Sequence, residues 1–379
     1  MKVLSISTDR KIFDEKSSVL KRMVYYASKV EEMHIIVFTK RGYKERAVGN
    51  LFIHPTNSVS KFSYIFDARR LGEMVIKKYN LSLSNSVIST QDPFETGLAG
   101  YFLHKRFFLP MQVQIHTDFL SSHFKNGALN IVRVLIAYFV IPKAQGIRVV
   151  SEAIKESLSK SFPKLKVSPA VLPVFVDIEG FANAVPQNYI DKDFPNFKFI
   201  IFMASRLSKE KKIENALYAL KKVVNEFPQT GLVIAGSGPE KQSLVRKIEK
   251  LGLSKNVVFI GWQDNLASYY KTADLFLLTS DYEGYGMTLI EAGASGCPIV
   301  TTKVGLAKTD LFKDGINCLV CPVGDKKCLS DAVISMIHDN SKREVFKRKM
   351  LDDIKVQALS MDEYVTEYVS LLRGLIVNK

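Results

Sequence analysis

The stretch Ser280-Asp281-Tyr282-Glu283-Gly284-Tyr285-Gly286-Met287-Thr288-Leu289-Ile290-Glu291-Ala292 decides the reading of this chain. The apolar run Leu275 to Thr279 before it predicts a strand. A glycine-flanked loop follows, and a helix is predicted over Met287 to Ser295. A helix start after such a loop suits an anion, because its first N–H groups lack intrahelical partners and carry the positive end of the dipole. Glu283 lies in the loop. Glu291 lies in the helix, roughly 7–8 Å beyond Gly286 at 1.5 Å per residue. Ionised carboxylates only accept hydrogen bonds, so both suit hydroxyl groups. A diphosphate at the helix start, with hydroxyls on either side of it, has the layout of a nucleotide sugar. The plain alternative is two surface glutamates near a helix start; the glycines and the preceding strand weigh against it.

The same alternation extends outward. Further strands are predicted at Lys198–Ala204, Gly231–Ala235, Val257–Ile260 and Pro298–Thr301, with helices at Ile213–Glu226 and Glu240–Leu251. The first half alternates likewise, with strands at Lys2–Ser7, His34–Thr39, Ser86–Ser89, Gln112–His116 and Ile147–Val150, and a helix at Ser17–Lys29. Strand, helix, strand at this spacing implies right-handed crossovers and parallel sheets. The segment 184–197, with Pro186, Asn188, Asp191, Asp193 and Pro195, predicts a linker. The expected organisation is therefore α/β: a Rossmann-like doubly wound domain over 1–183, a linker over 184–197, a second such domain over 198–359, and an amphipathic tail helix over 360–379. Two such domains imply a cleft at the strand C-termini.

Three further elements sit at predicted strand ends. Arg206-Leu207-Ser208-Lys209-Glu210-Lys211 follows the strand at 198–204. Arg can fork two phosphate oxygens and Lys supplies a point charge, though a solvated basic turn reads the same way. Ala235-Gly236-Ser237-Gly238-Pro239-Glu240 lets backbone approach a ligand closely, or is simply a tight turn. In the first half, Gln114-Ile115-His116-Thr117-Asp118 ends a strand and predicts His116 in the cleft, with Asp92 and Glu95 near it. His116 and His123 lack metal-ligand spacing, and no metal site is predicted.

The chain has 379 residues, 53 Lys and Arg, 38 Asp and Glu, and a formal charge of +15. Of that charge, +11 falls in residues 1–183. No stretch reaches the roughly 18 apolar residues of a membrane span, and Met1 to Ser7 lacks the regions of a signal peptide. The four cysteines, Cys297, Cys318, Cys321 and Cys328, are too few for a disulfide scaffold and read as structural residues in a reducing, cytoplasmic setting. Cys318-x-x-Cys321 has no second pair at zinc-ligand spacing. Residues 101–150 hold six basic residues against one acid, Asp118, interleaved with Tyr101, Phe102, Phe107, Phe108, Leu109, Phe119, Phe124, Tyr138 and Phe139. That mixture suggests reversible docking on an anionic membrane at the inner face; the competing reading is core aromatics beneath a solvated face.

Taken together, the Glu-x7-Glu motif, the Arg-Leu-x3-Lys motif and the Ala-Gly-Ser-Gly-Pro turn resemble the retaining glycosyltransferases of family 4, which have the GT-B fold. The resemblance covers nearly the whole chain and is strongest over 198–325. It implies two Rossmann-like domains facing across a cleft, with the final helix crossing back onto the first. It implies that Glu283 contacts donor-sugar hydroxyls, Glu291 the ribose, and Arg206 and Lys211 the diphosphate. Gly236, Gly238 and the backbone of Gly286, Met287 and Thr288 would line the donor, and His116 would lie close to the transferred sugar. Three stretches depart from the family pattern. The loop 8–16 has no glycine, Gly305-Leu306-Ala307-Lys308-Thr309-Asp310 replaces Gly-Gly-x-x-Glu, and Lys212 stands where glycine is common.

The expected activity is transfer of a hexosyl group from a nucleoside-diphosphate sugar to a glycan or lipid-linked glycan, without cofactor or metal. A nucleotide-sugar epimerase or hydrolase on the same fold is the alternative. Nucleic-acid binding is disfavoured, because no basic tail, zinc pattern or RNA signature accompanies the charge.

Overall fold

The computed structural model describes residues 1–376 except 123, 126, 188 and 189, so His123, Asn188 and the end of the tail lie outside it. The chain forms two compact units, Met1–Val174 with Ser360–Lys379, and Phe175–Leu359.

The first unit is built on strands β1 (Lys2–Ser7), β2 (Glu32–Val37), β3 (Arg46–Val48), β4 (Leu51–Pro55), β5 (Ser86–Thr90), β6 (Met111–Ile115), β7 (Gly146–Val149) and β8 (Ala170–Val171). They lie in the order β3-β4-β2-β1-β5-β6-β7-β8, parallel except for β3 against β4. Helices α1 (Ser18–Ser28), α2 (Tyr64–Lys78), α3 (Glu95–Phe107), α4 (Ala128–Val140) and α5 (Glu152–Ser161) supply the crossovers. Every residue of β5, β6 and β7 is buried, as expected of parallel strands covered on both faces.

The second unit carries β9 (Phe199–Ala204), β10 (Thr230–Ala235), β11 (Val257–Gly261), β12 (Leu275–Leu278), β13 (Ile299–Thr302) and β14 (Leu319–Cys321), all parallel, in the order β11-β10-β9-β12-β13-β14. Its helices are α6 (Ile178–Asn183), α7 (Ile190–Asp193), α8 (Ile213–Glu226), α9 (Lys241–Leu251), α10 (Ala267–Thr272), α11 (Met287–Ala294), α12 (Lys326–His338) and α13 (Asn340–Gln357). Period-two alternation explains the unbroken apolar run of β9. Ile200, Phe202 and Ala204 enter the core on one face, and Phe199, Ile201 and Met203 enter the core on the other. The strand order reverses between β9 and β12, which makes their C-terminal ends the switch point of this sheet.

The last helix, α14 (Met361–Arg373), belongs to the first unit. Ser360 and Glu363 form a reciprocal capping box at its start. Asp362 pairs with Lys29 and accepts from the Tyr25 hydroxyl, both on α1. Buried Arg148 on β7 donates to the Tyr364 hydroxyl, to Gln114 and to the Leu172 and Pro173 carbonyls, which fixes the helix against the sheet.

Two expectations need correction. The break falls between Val174 and Phe175, ahead of the expected linker, because Val176 and Ile190 are buried in the core of the second unit and Phe194 and Phe197 pack against it. The cysteines are not all free: Cys321 on β14 is bonded to Cys328 on α12, with Cα atoms 5.7 Å apart, while Cys297 and Cys318 are free and buried.

Candidate active site

The C-terminal ends of β9, β10 and β12 carry the residues expected on the donor side, all in the second unit. Lys211 follows β9 and Glu283 follows β12. The Lys211 Nζ lies 2.7 and 2.8 Å from the two Glu283 carboxylate oxygens, with both side chains mostly buried. Ser280 Oγ donates to the same carboxylate at 2.7 Å. Thr279 Oγ donates to the Lys211 and Lys212 carbonyls, and Thr302 Oγ donates to the Ser280 carbonyl. These hydroxyls tie the strand ends to the loops that carry the charges. Sequence reading missed them, because nothing local separates them from other strand-end Ser and Thr.

The loop 281–286 is braced from β13. Leu306 N–H donates to the Tyr285 carbonyl at 2.9 Å, and Gly305 fits so closely that a Cβ there would stand 2.5 Å from that oxygen. The departure at 305–310 thus keeps the one glycine that the packing requires. Gly286 caps α11 with φ +98° and offers no side chain to the first N–H groups. The helix start at Met287 and Thr288 is left open in the way an anion needs.

Glu291, one turn further on, accepts a hydrogen bond from the buried Tyr270 hydroxyl at 3.1 Å. Burial raises the Glu291 carboxyl above its ordinary pKa, and the Tyr270 bond opposes that rise. Arg206 is exposed, and among the described residues it has no acid within ion-pair distance. Its loop is held by Leu207 N–H donating to the Ser237 carbonyl and Glu240 N–H to the Leu207 carbonyl, both at 3.0 Å. A Cβ on Gly236 would fall 1.9 Å from the Ser205 carbonyl oxygen. Gly236 and Gly238 are therefore glycines because two loops of this chain meet there, which in turn positions Arg206. Trp262 is exposed just beyond β11.

His116 belongs to the first unit, at the end of β6. Desolvation, with Arg148 and Arg22 nearby, pushes its imidazole down to about 3, so it is neutral near pH 7. Of the two acids expected near it, Glu95 instead pairs with Arg133 of α4 at 2.9 Å. Asp92 is half-buried, accepts from the Phe94 N–H, and is pushed up to about 6 by desolvation. Among the described residues no cluster of three or more His, Cys, Asp or Glu could hold a metal ion.

Residues 188–351 match the family described as "Glycosyl transferases group 1". That stretch, under half of the chain, is similar to the group 1 glycosyl transferases. Among curated proteins, segments of the chain are 31% identical over 182 residues to the poly(glycerol-phosphate) alpha-glucosyltransferase of Bacillus subtilis, covering 48% of this chain and 27% of that protein. They are 28% identical over 238 residues to the alpha-monoglucosyldiacylglycerol synthase of Streptococcus pneumoniae, covering 60% of this chain and 53% of that one. The chain thus spans about a quarter to a half of the length of these relatives. Among solved structures, Anabaena HepE in complex with UDP and glucose superposes with a TM-score of 0.78 at 17% identity, over 99% of this chain and 100% of that one. The chain thus has the GT-B fold.

Proposed function

We propose that this chain is a retaining glycosyltransferase that moves a hexosyl group from a nucleoside-diphosphate sugar to a hydroxyl of a glycan or lipid-linked glycan. One observation carries the reading: Lys211, Glu283, the open start of α11 and Glu291 occur in succession at the switch point of one sheet. The names of the relatives, a poly(glycerol-phosphate) alpha-glucosyltransferase and a synthase of alpha-monoglucosyldiacylglycerol, support a polymer or lipid acceptor.

The leaving diphosphate gains charge as the glycosidic bond breaks. Arg206, Lys211 and the α11 N–H groups meet that charge more strongly in the transition state than in the ground state. Glu283 holds sugar hydroxyls and Glu291 the ribose. A departing phosphate oxygen takes the acceptor proton, so no covalent adduct with the protein is required. Two cations and a helix start meet the diphosphate without a divalent ion.

A panel of nucleoside-diphosphate sugars screened by thermal shift tests the donor, since a ligand at 100 times its Kd adds about 2.7 kcal/mol. The anomeric configuration of the product, by proton NMR, tests retention, and assay in excess chelator tests metal independence. Release of free sugar, or an epimerised nucleotide sugar as sole product, overturns the reading.

A further inference from the structure

The bond between Cys321 and Cys328 joins two sulfurs that differ in access. Cys321 ends β14, the last strand of its sheet, and is buried. Cys328 lies in the first turn of α12 and is half-buried. Both line an open cavity of about 490 Å³ in the second unit. A cavity of that size admits a peroxide or a low-molecular-weight thiol. A disulfide that such molecules reach exchanges readily, whereas one sealed in a core does not.

The setting gives the two sulfurs different roles. Asp325 caps α12 by accepting from the Cys328 N–H at 2.9 Å. Cys328 therefore stands near the positive end of the helix dipole, next to Lys327. A thiolate forms readily in such a place. Cys321 has the position of a resolving partner, with its Cα 5.7 Å away. The two free cysteines differ, since burial pushes the Cys297 thiol up and the Cys318 thiol up to about 12, so neither ionises near pH 7.

Strand β14 is also linked to the loop that carries Glu283. Asp314, which lines the same cavity, accepts from the Val320 N–H at 2.8 Å. The Cys321 carbonyl accepts from the Lys303 N–H at 2.9 Å. Lys303 directly follows β13 and stands two residues before Gly305, which packs against the Tyr285 carbonyl. Leu306 N–H donates to that same carbonyl. Whatever fixes β14 therefore bears on loop 281–286.

We propose that Cys328 and Cys321 form a peroxide-driven redox switch, with Cys328 the reactive thiol and Cys321 the resolving one, whose closed form steadies loop 281–286 through Lys303. In the reduced chain the Cys328 thiolate attacks one oxygen of hydrogen peroxide. The O–O bond breaks, and hydroxide leaves and takes up a proton as water, which leaves a sulfenic acid on Cys328. The Cys321 sulfur then attacks Cys328 Sγ. The S–O bond breaks, and the hydroxide leaves with the Cys321 proton as a second water. The two thiols lose two electrons and the peroxide gains them. In return, the thiolate of a small thiol attacks Cys328 Sγ, and Cys321 leaves and is protonated. A second small thiol frees Cys328 and departs as the small disulfide. The effect on donor binding rests on the function proposed above; the thiol chemistry does not.

The full chain, reduced with dithiothreitol, desalted and titrated with hydrogen peroxide, is the test. Maleimide labelling after denaturation is expected to fall from four thiols to two, with Cys297 and Cys318 left. Cys321→Ser, which lacks the resolving sulfur, is expected to give a dimedone adduct at Cys328 by mass spectrometry, and Cys328→Ser none at Cys321. Amide exchange at Lys303 and Leu306 is expected to be about fivefold slower in the oxidised chain, and affinity for the nucleoside diphosphate selected by the donor panel about fivefold higher. A bond that dithiothreitol does not open in the folded chain, no adduct at Cys328, exchange at Lys303 the same in both states, or equal affinity in both would each overturn the proposal. A chain that binds no nucleoside diphosphate in either state, while its thiols cycle and its amides respond, would overturn the proposed function and support the switch.

Discussion

Lys211 and Glu283 stand 72 residues apart in the chain, yet the ammonium contacts both oxygens of the carboxylate. The pair joins the loop after β9 to the loop after β12, so each charge stabilises the position of the other. Removing one partner leaves the other mostly buried and uncompensated. Lys211→Met and Glu283→Gln are each expected to cost about 1–3 kcal/mol in urea unfolding. Their double-mutant cycle is expected to show coupling of about 1 kcal/mol or more. Strictly additive costs would mean that the contact does not organise the site. Transfer is expected to fall by a larger factor than stability accounts for in both variants.

In the proposed role Glu291 accepts from ribose hydroxyls as a carboxylate, and burial raises its pKa while the Tyr270 hydroxyl lowers it. Donor affinity should therefore fall on acidification at a higher pH than an ordinary carboxylate would give. Tyr270→Phe removes the opposing bond, so the acid limb of donor binding should move to still higher pH. Calorimetric titration of a nucleoside diphosphate across pH checks this. An unmoved limb in Tyr270→Phe would separate Glu291 from donor binding.

The site was legible where its chemistry is local. Glycines beside a strand end, and carboxylates at set distances from a helix start, can be read directly. The contact between Lys211 and Glu283 was not, because it depends on β12 lying next to β9 while β10 and β11 intervene in sequence. Strands β3 and β8 were too short, at 3 and 2 residues, to show a period, and β4 ends in a proline. The segment from Phe175 has the composition of a linker, but Ile190 is wholly buried, and only the fold reveals its core. The Cys321–Cys328 bond was hidden for the same reason: it spans the end of β14 and the first turn of α12, while the eye goes to Cys318-x-x-Cys321.

That bond predicts a thiol count. Denatured without reductant, the chain should show two reactive thiols, Cys297 and Cys318, and four after reduction. Closing so short a loop removes chain entropy from the unfolded state, and the paired change Cys321→Ser with Cys328→Ser should cost about 2–3 kcal/mol. Four thiols before reduction would contradict the pairing.

A histidine pair predicts a pH effect in the first unit. His34 Nδ1 and His54 Nε2 are 3.3 Å apart, flanked by Glu32 and Glu45. Desolvation pushes His34 down to about 4. The unfolded chain, with a histidine near its ordinary pKa, binds the proton first. This stability is present above about pH 6.5 and is lost as pH falls towards about 4, by roughly 3 kcal/mol for His34. His34→Gln has no such proton to bind, so its stability gap from wild type should narrow across that window. A constant gap in urea unfolding from pH 7 to pH 4.5 would show that His34 is not held neutral.

Lys212 sits at the start of α8 with φ +44° and ψ +42°, a left-handed conformation that costs a side chain about 1 kcal/mol. Here the side chain offsets that cost, because its Nζ lies 3.5 Å from Asp281 and 3.9 Å from Glu214. Asp281 is two residues before Glu283, so the lysine braces the loop from which Glu283 projects. Alanine keeps the backbone strain and loses the ion pairs; glycine loses the ion pairs and relieves the strain. Lys212→Gly should therefore be more stable than Lys212→Ala by about 1 kcal/mol, the reverse of the order in a helix interior, where alanine leads by a similar amount. Both should weaken donor binding, because both release Asp281. Thermal unfolding of the two variants side by side checks the order, and alanine equal to or above glycine would show that the left-handed turn carries no strain.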